Sequence, residues 1–143
     1  MAYGGTYKGF TFRSLLELSV IRHLESEGLI LGDTMLYEAT KVPYGKLRKR
    51  NYIVDLTLPV NKILIEVKPS SRADNRNNRS KREGAEAWCR ANGWTYLIIT
   101  EQELHQCGQL VSLDEARTIP EVQLGERAQR AIRRKERRKA KKR

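Results

Sequence analysis

Apolar and polar side chains alternate twice between residues 51 and 69, and this pattern predicts two β-strands. Both runs are rich in Val, Ile and Tyr, and a short turn around Pro59 and Asn61 separates them, which indicates an antiparallel hairpin. Every second side chain of a strand faces the same way. The predicted apolar face consists of Tyr52, Val54, Leu56 and Leu58 in the first strand and of Ile63, Ile65 and Val67 in the second.

The opposite face of the predicted hairpin carries charge. Asp55 in the first strand, and Glu66 and Lys68 at the end of the second, fall on this surface among apolar neighbours. Removing an unpaired carboxylate from water is costly, so two carboxylates need compensation. A divalent cation held by both, with the lysine beside it, would provide that compensation, since hard cations prefer oxygen ligands. The alternative is an ordinary charged strand edge with a surface pair of Glu66 and Lys68.

A helical period precedes the hairpin. Apolar residues recur at every fourth position from Leu16 to Leu24, which predicts a helix that begins near Phe12 and stops at Gly28. Glu17 lies beside this apolar stripe and not opposite it. It is therefore either a solvated residue on the flank of the helix or a carboxylate that belongs to a partly buried site.

Turn and capping signals predict the other elements of the first half. Residues 1–11 are predicted to be an irregular arm, and residues 37–42 a strand that the segment 43–45 breaks. A basic loop at residues 46–50 follows, and we expect it to lie next to the charged face of Asp55.

The segment after the hairpin is predicted to be a loop and then a helix. Residues 70–80 have the composition of a mobile loop. A capping box formed by Ser80 and Glu83 predicts that a helix begins there, and Gly93 predicts where it ends. Its inward-facing residues are predicted to be Ala85, Trp88 and Cys89.

Together these elements predict an α/β domain with a mixed β-sheet. The hairpin pairs antiparallel, and the helix after it can cross over to place a buried strand at residues 94–100 in parallel, with helices on both faces. A second capping box, Thr100 with Glu103, predicts a short helix after that strand. Residues 110–124 show no decisive pattern, and the segment from Gly125 permits a helix with little to bury.

Length and charge predict one domain with a basic extension. The 143 residues carry a net charge of +11, and 39% of them are apolar. Residues 127–143 hold eleven Lys or Arg and one acid, so they contribute +10, whereas the other 126 residues contribute +1. We therefore expect a folded domain at residues 1–124 and a basic tail at residues 125–143. Such a tail is typical of proteins that bind nucleic acid or an acidic protein surface.

The composition also argues against several classes of protein. No apolar run reaches the roughly 20 residues of a membrane span, and no secretory signal is found near the N-terminus, so we expect no membrane partner. Cys89 and Cys107 lack metal-ligand spacing, which argues against a structural zinc site. Two cysteines without a disulfide pattern favour a reducing compartment, so a cytoplasmic location is expected.

The charged hairpin residues carry a family resemblance. Asp55, followed by Glu66, Val67 and Lys68 at the end of the next strand, resembles the PD-(D/E)XK nuclease signature. Val54 stands where the proline of that signature would be, which is outside the metal chemistry.

Two longer stretches extend this resemblance. Residues 12–68 are similar to the phage endonuclease I family, which resolves branched DNA such as Holliday junctions, and residues 66–104 resemble TnsA-type transposon endonucleases and phage head-completion nucleases. The first similarity rests on Phe12, Arg13, Ser14, Leu16, Glu17, Leu24, Glu25, Ser26, Gly28, Tyr37, Glu38, Lys41, Val42, Pro43, Tyr44, Leu58, Pro59 and Asn61. The second rests on Lys81, Ala85, Trp88, Cys89, Gly93, Trp94, Ile99, Thr100 and Glu101.

The resemblance implies a restriction-endonuclease-like core and a metal-dependent DNA endonuclease. Asp55, Glu66 and the carbonyl of Val67 would bind Mg²⁺ or Mn²⁺, and Glu17 would support a second ion. Lys68 would act on the attacking water and on the charge of the transition state. The implied catalytic residues are thus Glu17, Asp55, Glu66 and Lys68.

DNA contacts are expected from basic side chains in the loops, the helix after the hairpin and the tail. These candidates are Lys46, Arg48, Lys49, Arg50, Arg72, Arg76, Arg79, Lys81, Arg133, Arg134, Arg137 and Arg138. Lys81, expected near the start of its helix, would help to hold the scissile phosphate together with the N-terminal amides of that helix.

The resemblance leaves the biological role open. Similarity to endonuclease I implies a homodimer with exchanged strands, in which Glu17 completes the site of the partner chain. A TnsA-like or head-completion role is the competing nuclease function. Outside the enzymes, the rival is a non-catalytic DNA-binding component of a phage particle, with phage structural proteins as partners. For a phage protein, the host cytoplasm or the virion is the expected location.

Overall fold

The computed structural model describes residues 2–73 and 75–142. In chain order its elements are β1 (Gly5–Tyr7), β2 (Phe10–Phe12), α1 (Leu15–Ser26), β3 (Leu36–Tyr44), β4 (Arg50–Leu58), β5 (Ile63–Val67), α2 (Arg76–Asn92), β6 (Thr95–Ile99), α3 (Glu101–Gln106), α4 (Leu113–Thr118), β7 (Val122–Leu124) and α5 (Glu126–Lys141). A short 3₁₀ turn, Ser70–Arg72, lies between β5 and α2. No helix within these described ranges is long and apolar enough to cross a membrane.

The main sheet is mixed, as the sequence predicts. Its strand order is β3-β4-β5-β6, with antiparallel pairing from β3 to β5 and parallel pairing between β5 and β6. The hairpin β4–β5 turns where Pro59 and Asn61 predict, and α2 is the crossover that brings β6 alongside β5. This α/β arrangement is compatible with a restriction-endonuclease-like fold.

Two hydrophobic clusters cover the two faces of this sheet. Buried residues of α1 and α3, such as Leu18 and Leu104, pack with Ile65 on one face. Ala85 and Cys89 of α2 pack with Leu64 on the other face. The sheet is therefore a central layer between helices, and charged groups in its middle are removed from water.

The prediction that β4 presents one continuous apolar face is wrong. Leu56 and Leu58 belong to the α1 cluster, whereas Tyr52 and Val54 belong to the α2 cluster. The register of β3 against β4 shifts between Tyr37 and Thr40, and the pairing of β4 with β5 ends at Leu56 and Ile65. This irregularity turns the side chains of β4 over at Asp55, because a β-bulge increases the local bend and twist.

The N-terminal segment is not an irregular arm. β1 and β2 form a hairpin through Lys8 and Gly9, both with positive φ, and β7 pairs antiparallel with β1 to complete a three-stranded sheet. Strands of three residues show too little alternation to be recognised, and β7 follows β1 by more than 110 residues. Met1, which the arm prediction also covered, lies outside the described residues.

Helix α2 begins earlier than its predicted capping box. Asn75 is the N-cap, and its side chain accepts a hydrogen bond from the Asn78 amide, so Ser80 and Glu83 lie inside the helix. The predicted mobile loop at 70–80 is thus largely a 3₁₀ turn and the first turn of α2, with Asp74 outside the described residues. Gly93 ends the helix with φ 73°, as predicted.

The two edge strands also differ from the predictions. β3 continues through Pro43 and Tyr44, which were expected to break it; an edge strand accepts proline because one side of its backbone needs no ladder partner. β6 is the other edge, and Leu97 is exposed on it, so this strand is half-buried and not fully buried.

The basic segment forms a helix that is attached to the domain. Ala128 of α5 is buried, and the Gly125 amide donates to the Gly4 carbonyl at 2.8 Å. Lys135 also pairs with Asp114 of α4 at 2.8 Å. The division into a domain at 1–124 and a tail at 125–143 stays a prediction.

The contact between α2 and β3 depends on Gly84. A Cβ atom at Gly84 would lie 2.5 Å from the Pro43 carbonyl oxygen and 2.6 Å from the Tyr44 Cβ. Alanine favours a helix over glycine by about 1 kcal/mol, yet this clash would force α2 away from the sheet. We therefore predict that Gly84→Ala lowers the free energy of unfolding by about 1–3 kcal/mol, measured by chemical denaturation. Glu86→Ala, on the exposed side of α2, is the control and should stay within about 0.5 kcal/mol of wild type.

Candidate active site

Two buried carboxyl groups lie where β4 and β5 separate. Asp55 and Glu66 are each 7% exposed. The Val67 amide donates a hydrogen bond of 2.8 Å to Oδ2 of Asp55, which links the two strands beyond the end of their ladder. Lys68 Nζ lies 3.5 Å from Oε1 of Glu66, and the lysine is partly exposed. The structure thus brings together Asp55, Glu66 and Lys68, as the alternation of the strands predicts.

Ionisation of both carboxyl groups at once is unfavourable, because both are buried and lie close together. Burial, followed by the nearby charge of Asp55, raises the pKa of Glu66 to about 8, although Lys68 acts in the opposite direction. Burial also raises the pKa of Asp55, while the Val67 amide hydrogen bond lowers it. At neutral pH the pair therefore retains a proton unless another cation replaces it.

One carboxylate oxygen of this pair has no hydrogen-bond donor in the part of the chain that the structure describes, although the two carboxyl groups lie close enough to share a hydrogen bond when one of them is protonated. Oε2 of Glu66 is buried and accepts no hydrogen bond from the described residues. Buried polar atoms are normally satisfied, so an orphan acceptor beside a second carboxylate fits a hard divalent cation. Mg²⁺ suits such a pair because it is often bound by one or two carboxylates and keeps several waters.

Glu17 is buried as well, so the surface-flank interpretation is wrong. It is 5% exposed and lies in the first turn of α1, where Ser14 caps its amide. Its Oε1 accepts hydrogen bonds from the Tyr37 hydroxyl at 2.5 Å and from the Arg13 amide at 3.4 Å. Burial raises the pKa of Glu17, the Tyr37 hydrogen bond lowers it, and the charge of Asp55 raises it.

The described residues contain no group of three or more His, Cys, Asp or Glu side chains arranged to hold a metal ion. The charge of Asp55 acts on Glu17, but Glu17 does not form a joint ligand set with Asp55 and Glu66. Its carboxylate is held by Tyr37 of the same chain. The Val67 carbonyl and Glu17 stay predictions as metal ligands.

The sequence predictions missed three residues around Glu17 as site components. Tyr37 holds Glu17, and Arg13 forms an ion pair with Glu38 at 2.5 Å. Arg13, Tyr37 and Glu38 are all among the residues that residues 12–68 share with the endonuclease I family, so this similarity could have indicated them. Their grouping was not foreseen because it depends on how β3 bends against α1.

The predicted DNA-contact residues fall into separate groups. The basic turn at 46–49 and Arg50 are exposed, but they do not lie beside Asp55. Lys49 precedes Asp55 by six residues, which at about 3.3 Å per residue places the two about 20 Å apart along β4. Arg72, Arg76 and Arg79 are exposed around the start of α2.

Lys81 does not lie at the helix start. It is half-buried inside α2, and its Nζ lies 5.7 Å from the ring centroid of Tyr52. This is a cation–π contact that helps to pack α2 on the sheet. The four arginines predicted in the basic segment are exposed on α5: Arg133, Arg134, Arg137 and Arg138.

The raised pKa of Glu66 predicts how stability depends on pH. An unfolded glutamate has a pKa of about 4.3, so between that pH and about 8 the folded protein holds a proton that the unfolded chain releases. In EDTA, the free energy of unfolding should therefore fall by several kcal/mol as the pH rises from 5 to 8. Glu66→Gln, which mimics the protonated group, should flatten this slope, whereas Glu86→Gln on the surface should not. Equal slopes in wild type and Glu66→Gln would contradict the assignment.

The geometry agrees with a comparison to protein families. The family model described as TnsA-like endonuclease N terminal matches residues 22–101, which is more than half of the chain. No curated protein and no solved structure matches the chain. The matched segment contains Asp55, Glu66 and Lys68, together with the whole four-stranded sheet. The chain therefore belongs to the TnsA-like endonuclease N-terminal family, a PD-(D/E)XK-like nuclease family.

Proposed function

We propose that this protein is a Mg²⁺- or Mn²⁺-dependent endonuclease that hydrolyses phosphodiester bonds in DNA. The observation that carries the proposal is the unpartnered oxygen of Glu66, buried beside Asp55 and Lys68 within the segment that matches the endonuclease family. A bound cation would supply Lewis-acid charge next to the scissile phosphate.

Asp55 and Glu66 would hold the cation. The Val67 amide fixes the orientation of Asp55, and the strands fix the spacing of the two carboxyl groups. Glu17 adds a third negative charge near Asp55, and the Tyr37 hydroxyl holds its carboxylate in place. Because burial already disfavours these charges, cation binding would relieve an electrostatic cost that the fold maintains.

Lys68 is the cationic group of the site. Its amide donates to the Ile99 carbonyl at 3.0 Å, so the end of β5 is anchored to β6 while the side chain remains partly exposed. From this position the ammonium group would orient the attacking water and stabilise the negative charge that develops on the phosphate. In the absence of DNA it stabilises Glu66.

DNA would be held by basic groups away from the carboxylates. Lys46, Lys49 and Arg76 line an open cleft between the β3–β4 turn and α2. The exposed arginines of α5 would supply a second basic surface. Such contacts supply affinity that does not depend on base sequence.

The geometry of the DNA substrate distinguishes the two nuclease branches. The family match favours a TnsA-like endonuclease that cleaves duplex DNA, whereas the similarity of residues 12–68 to endonuclease I favours a branched junction and a homodimer. Cleavage of a four-way junction, compared with a linear duplex of equal composition, separates the two substrates. Sedimentation of the protein with and without the junction tests the dimer.

The central test of the function is Asp55→Asn. This change removes one proposed metal ligand and one negative charge while the size of the side chain is kept. Nicking of plasmid DNA with Mg²⁺ should fall by at least about 10³-fold, the scale expected for loss of a main electrostatic group. DNA binding, measured by fluorescence anisotropy, should be retained or become tighter because repulsion of phosphate is reduced.

Asp33→Asn is the matched control for this experiment. Asp33 is an exposed aspartate in a turn, so its amide variant should nick plasmid DNA like wild type, and EDTA should stop both. Undiminished nicking by Asp55→Asn, or nicking by the wild type in EDTA, would refute the assignment.

The basic helix α5 makes a separate prediction. Replacing Arg133, Arg134, Arg137 and Arg138 by Gln keeps good helix formers but removes four charges. Each phosphate contact contributes about 0.9 to the slope of log affinity against log salt. The slope should therefore become shallower by about 3–4, with Mg²⁺-dependent cleavage intact at saturating protein. The corresponding Arg→Lys variant, which keeps all four charges, should retain the slope. An unchanged slope in the Gln variant would instead indicate that α5 docks on an acidic protein.

A further inference from the structure

Arg13 is a cation at the edge of the acidic site that the proposed mechanism does not use. It lies between β2 and α1, and 69% of its side chain is exposed. Its guanidinium pairs with Oε1 of Glu38 at 2.5 Å, while its amide donates to Oε1 of Glu17. Its charge also lowers the pKa of Asp55, against the dominant effect of burial. The guanidinium is thus open to solvent, and its charge acts on Asp55.

Glu38, its partner, adopts an unusual backbone conformation. Its φ is 50°, in the left-handed region that residues with a Cβ rarely occupy. It lies where the register of β3 shifts, between Tyr37 and Thr40, and therefore opposite Asp55 of β4. The bulge directs the Glu38 carboxylate toward Arg13.

Stability does not explain this arrangement. An exposed ion pair contributes about 0–1 kcal/mol, whereas a left-handed residue costs about 1–3 kcal/mol. Strained residues of this kind are typical of functional sites, where other contacts hold them. The strained residue here adjoins the catalytic strand, and its carboxylate is held by a solvent-exposed arginine.

We propose that Arg13 binds a DNA phosphate at the mouth of the active site, and that Glu38 holds the guanidinium in position until that phosphate displaces it. This inference rests on the proposed nuclease function. Phosphate must approach several carboxyl groups, so a local cation is needed to offset repulsion. Arginine suits this task because its planar fork binds phosphate through two hydrogen bonds.

The replacement of Glu38 by a DNA phosphate as the partner of Arg13 follows from charge alone. In the free protein Glu38 neutralises Arg13, and in the complex a phosphate takes over that role. Glu38 therefore competes with DNA for the same guanidinium. Removing Glu38 should strengthen DNA binding, and removing Arg13 should weaken it. A purely structural ion pair would give the same small effect for both changes.

The experiment measures DNA affinity against monovalent salt in EDTA, in an Asp55→Asn background that does not cleave. Arg13→Ala should lower the affinity for a linear duplex by about five- to tenfold at 0.1 M salt and make the log–log slope shallower by about 1. Glu38→Gln should raise the affinity without reducing the slope. Arg13→Lys should restore the slope and only part of the affinity, since lysine keeps the charge but loses the fork.

Lys8→Ala is the matched control. Lys8 also forms a surface ion pair, with Glu25, but it lies at the other end of the β1–β2 hairpin from Arg13. Its removal should leave the salt slope unchanged. The melting temperatures of all variants establish that each is folded, and Arg13→Lys carries the test if Arg13→Ala is unstable.

Two results would overturn the inference: a salt slope that Arg13→Ala does not change, or weaker DNA binding in Glu38→Gln. Loss of Mn²⁺ affinity in Glu38→Gln, measured by calorimetry without DNA and with Asp55 intact, would also overturn it, because Glu38 would then be a metal ligand. Failure of the wild type to cleave DNA would refute the proposed function alone, since the binding experiment needs no cleavage. Normal cleavage with an unchanged slope would refute only the role of Arg13.

Discussion

The burial of two carboxyl groups side by side is the constraint on which the rest of this structure depends. Asp55 and Glu66 lie in a sheet that helices cover on both faces, so neither can rely on water for its charge. The fold compensates with a backbone amide that donates to Asp55, a lysine beside Glu66 and a raised pKa of Glu66. Replacing such a pair by apolar residues would often be neutral or stabilising. Such a pair is weak evidence for a role in stability, and the proposed metal chemistry would explain why it is buried.

The irregularities of the sheet occur next to the same two carboxyl groups. β4 turns its side chains over at Asp55, and its ladder with β5 ends at Leu56 and Ile65, just before both carboxylates. On the other side of β4, the bulge in β3 brings Tyr37 to Glu17 of α1. A regular sheet would have continued the ladder past Asp55. Instead the ladder ends before Glu66, one of whose carboxylate oxygens has no hydrogen-bond donor among the described residues.

The features that the sequence predicts correctly are those whose pattern extends over only a few neighbouring residues. Alternation placed Asp55, Glu66 and Lys68 on one surface, and helical capping found α3, because both signals extend over only a few residues. The sheet of β1, β2 and β7 was missed, since its pairing joins the two ends of the domain. The capping box at Ser80 was misleading because Asn75 offered an equally good cap one turn earlier. The grouping of Arg13 with Glu38 required a bulge, which no local pattern specifies.

The distribution of charge is the last consequence of the buried pair. In the proposed function, a polyanion would have to approach the buried Asp55 and Glu66, with Glu17 nearby, while the chain as a whole carries +11. The cations that would supply general affinity lie on the β3–β4 turn, about 20 Å from Asp55 along β4, and on α5. Close to the site, Lys68 and Arg13 are each already paired with a carboxylate. In the proposed function, the basic groups that attract DNA are therefore different from the two cations that pair with carboxylates near the site. If the proposed function holds, the carboxylate pair would still favour binding of a cation while basic groups elsewhere attract DNA.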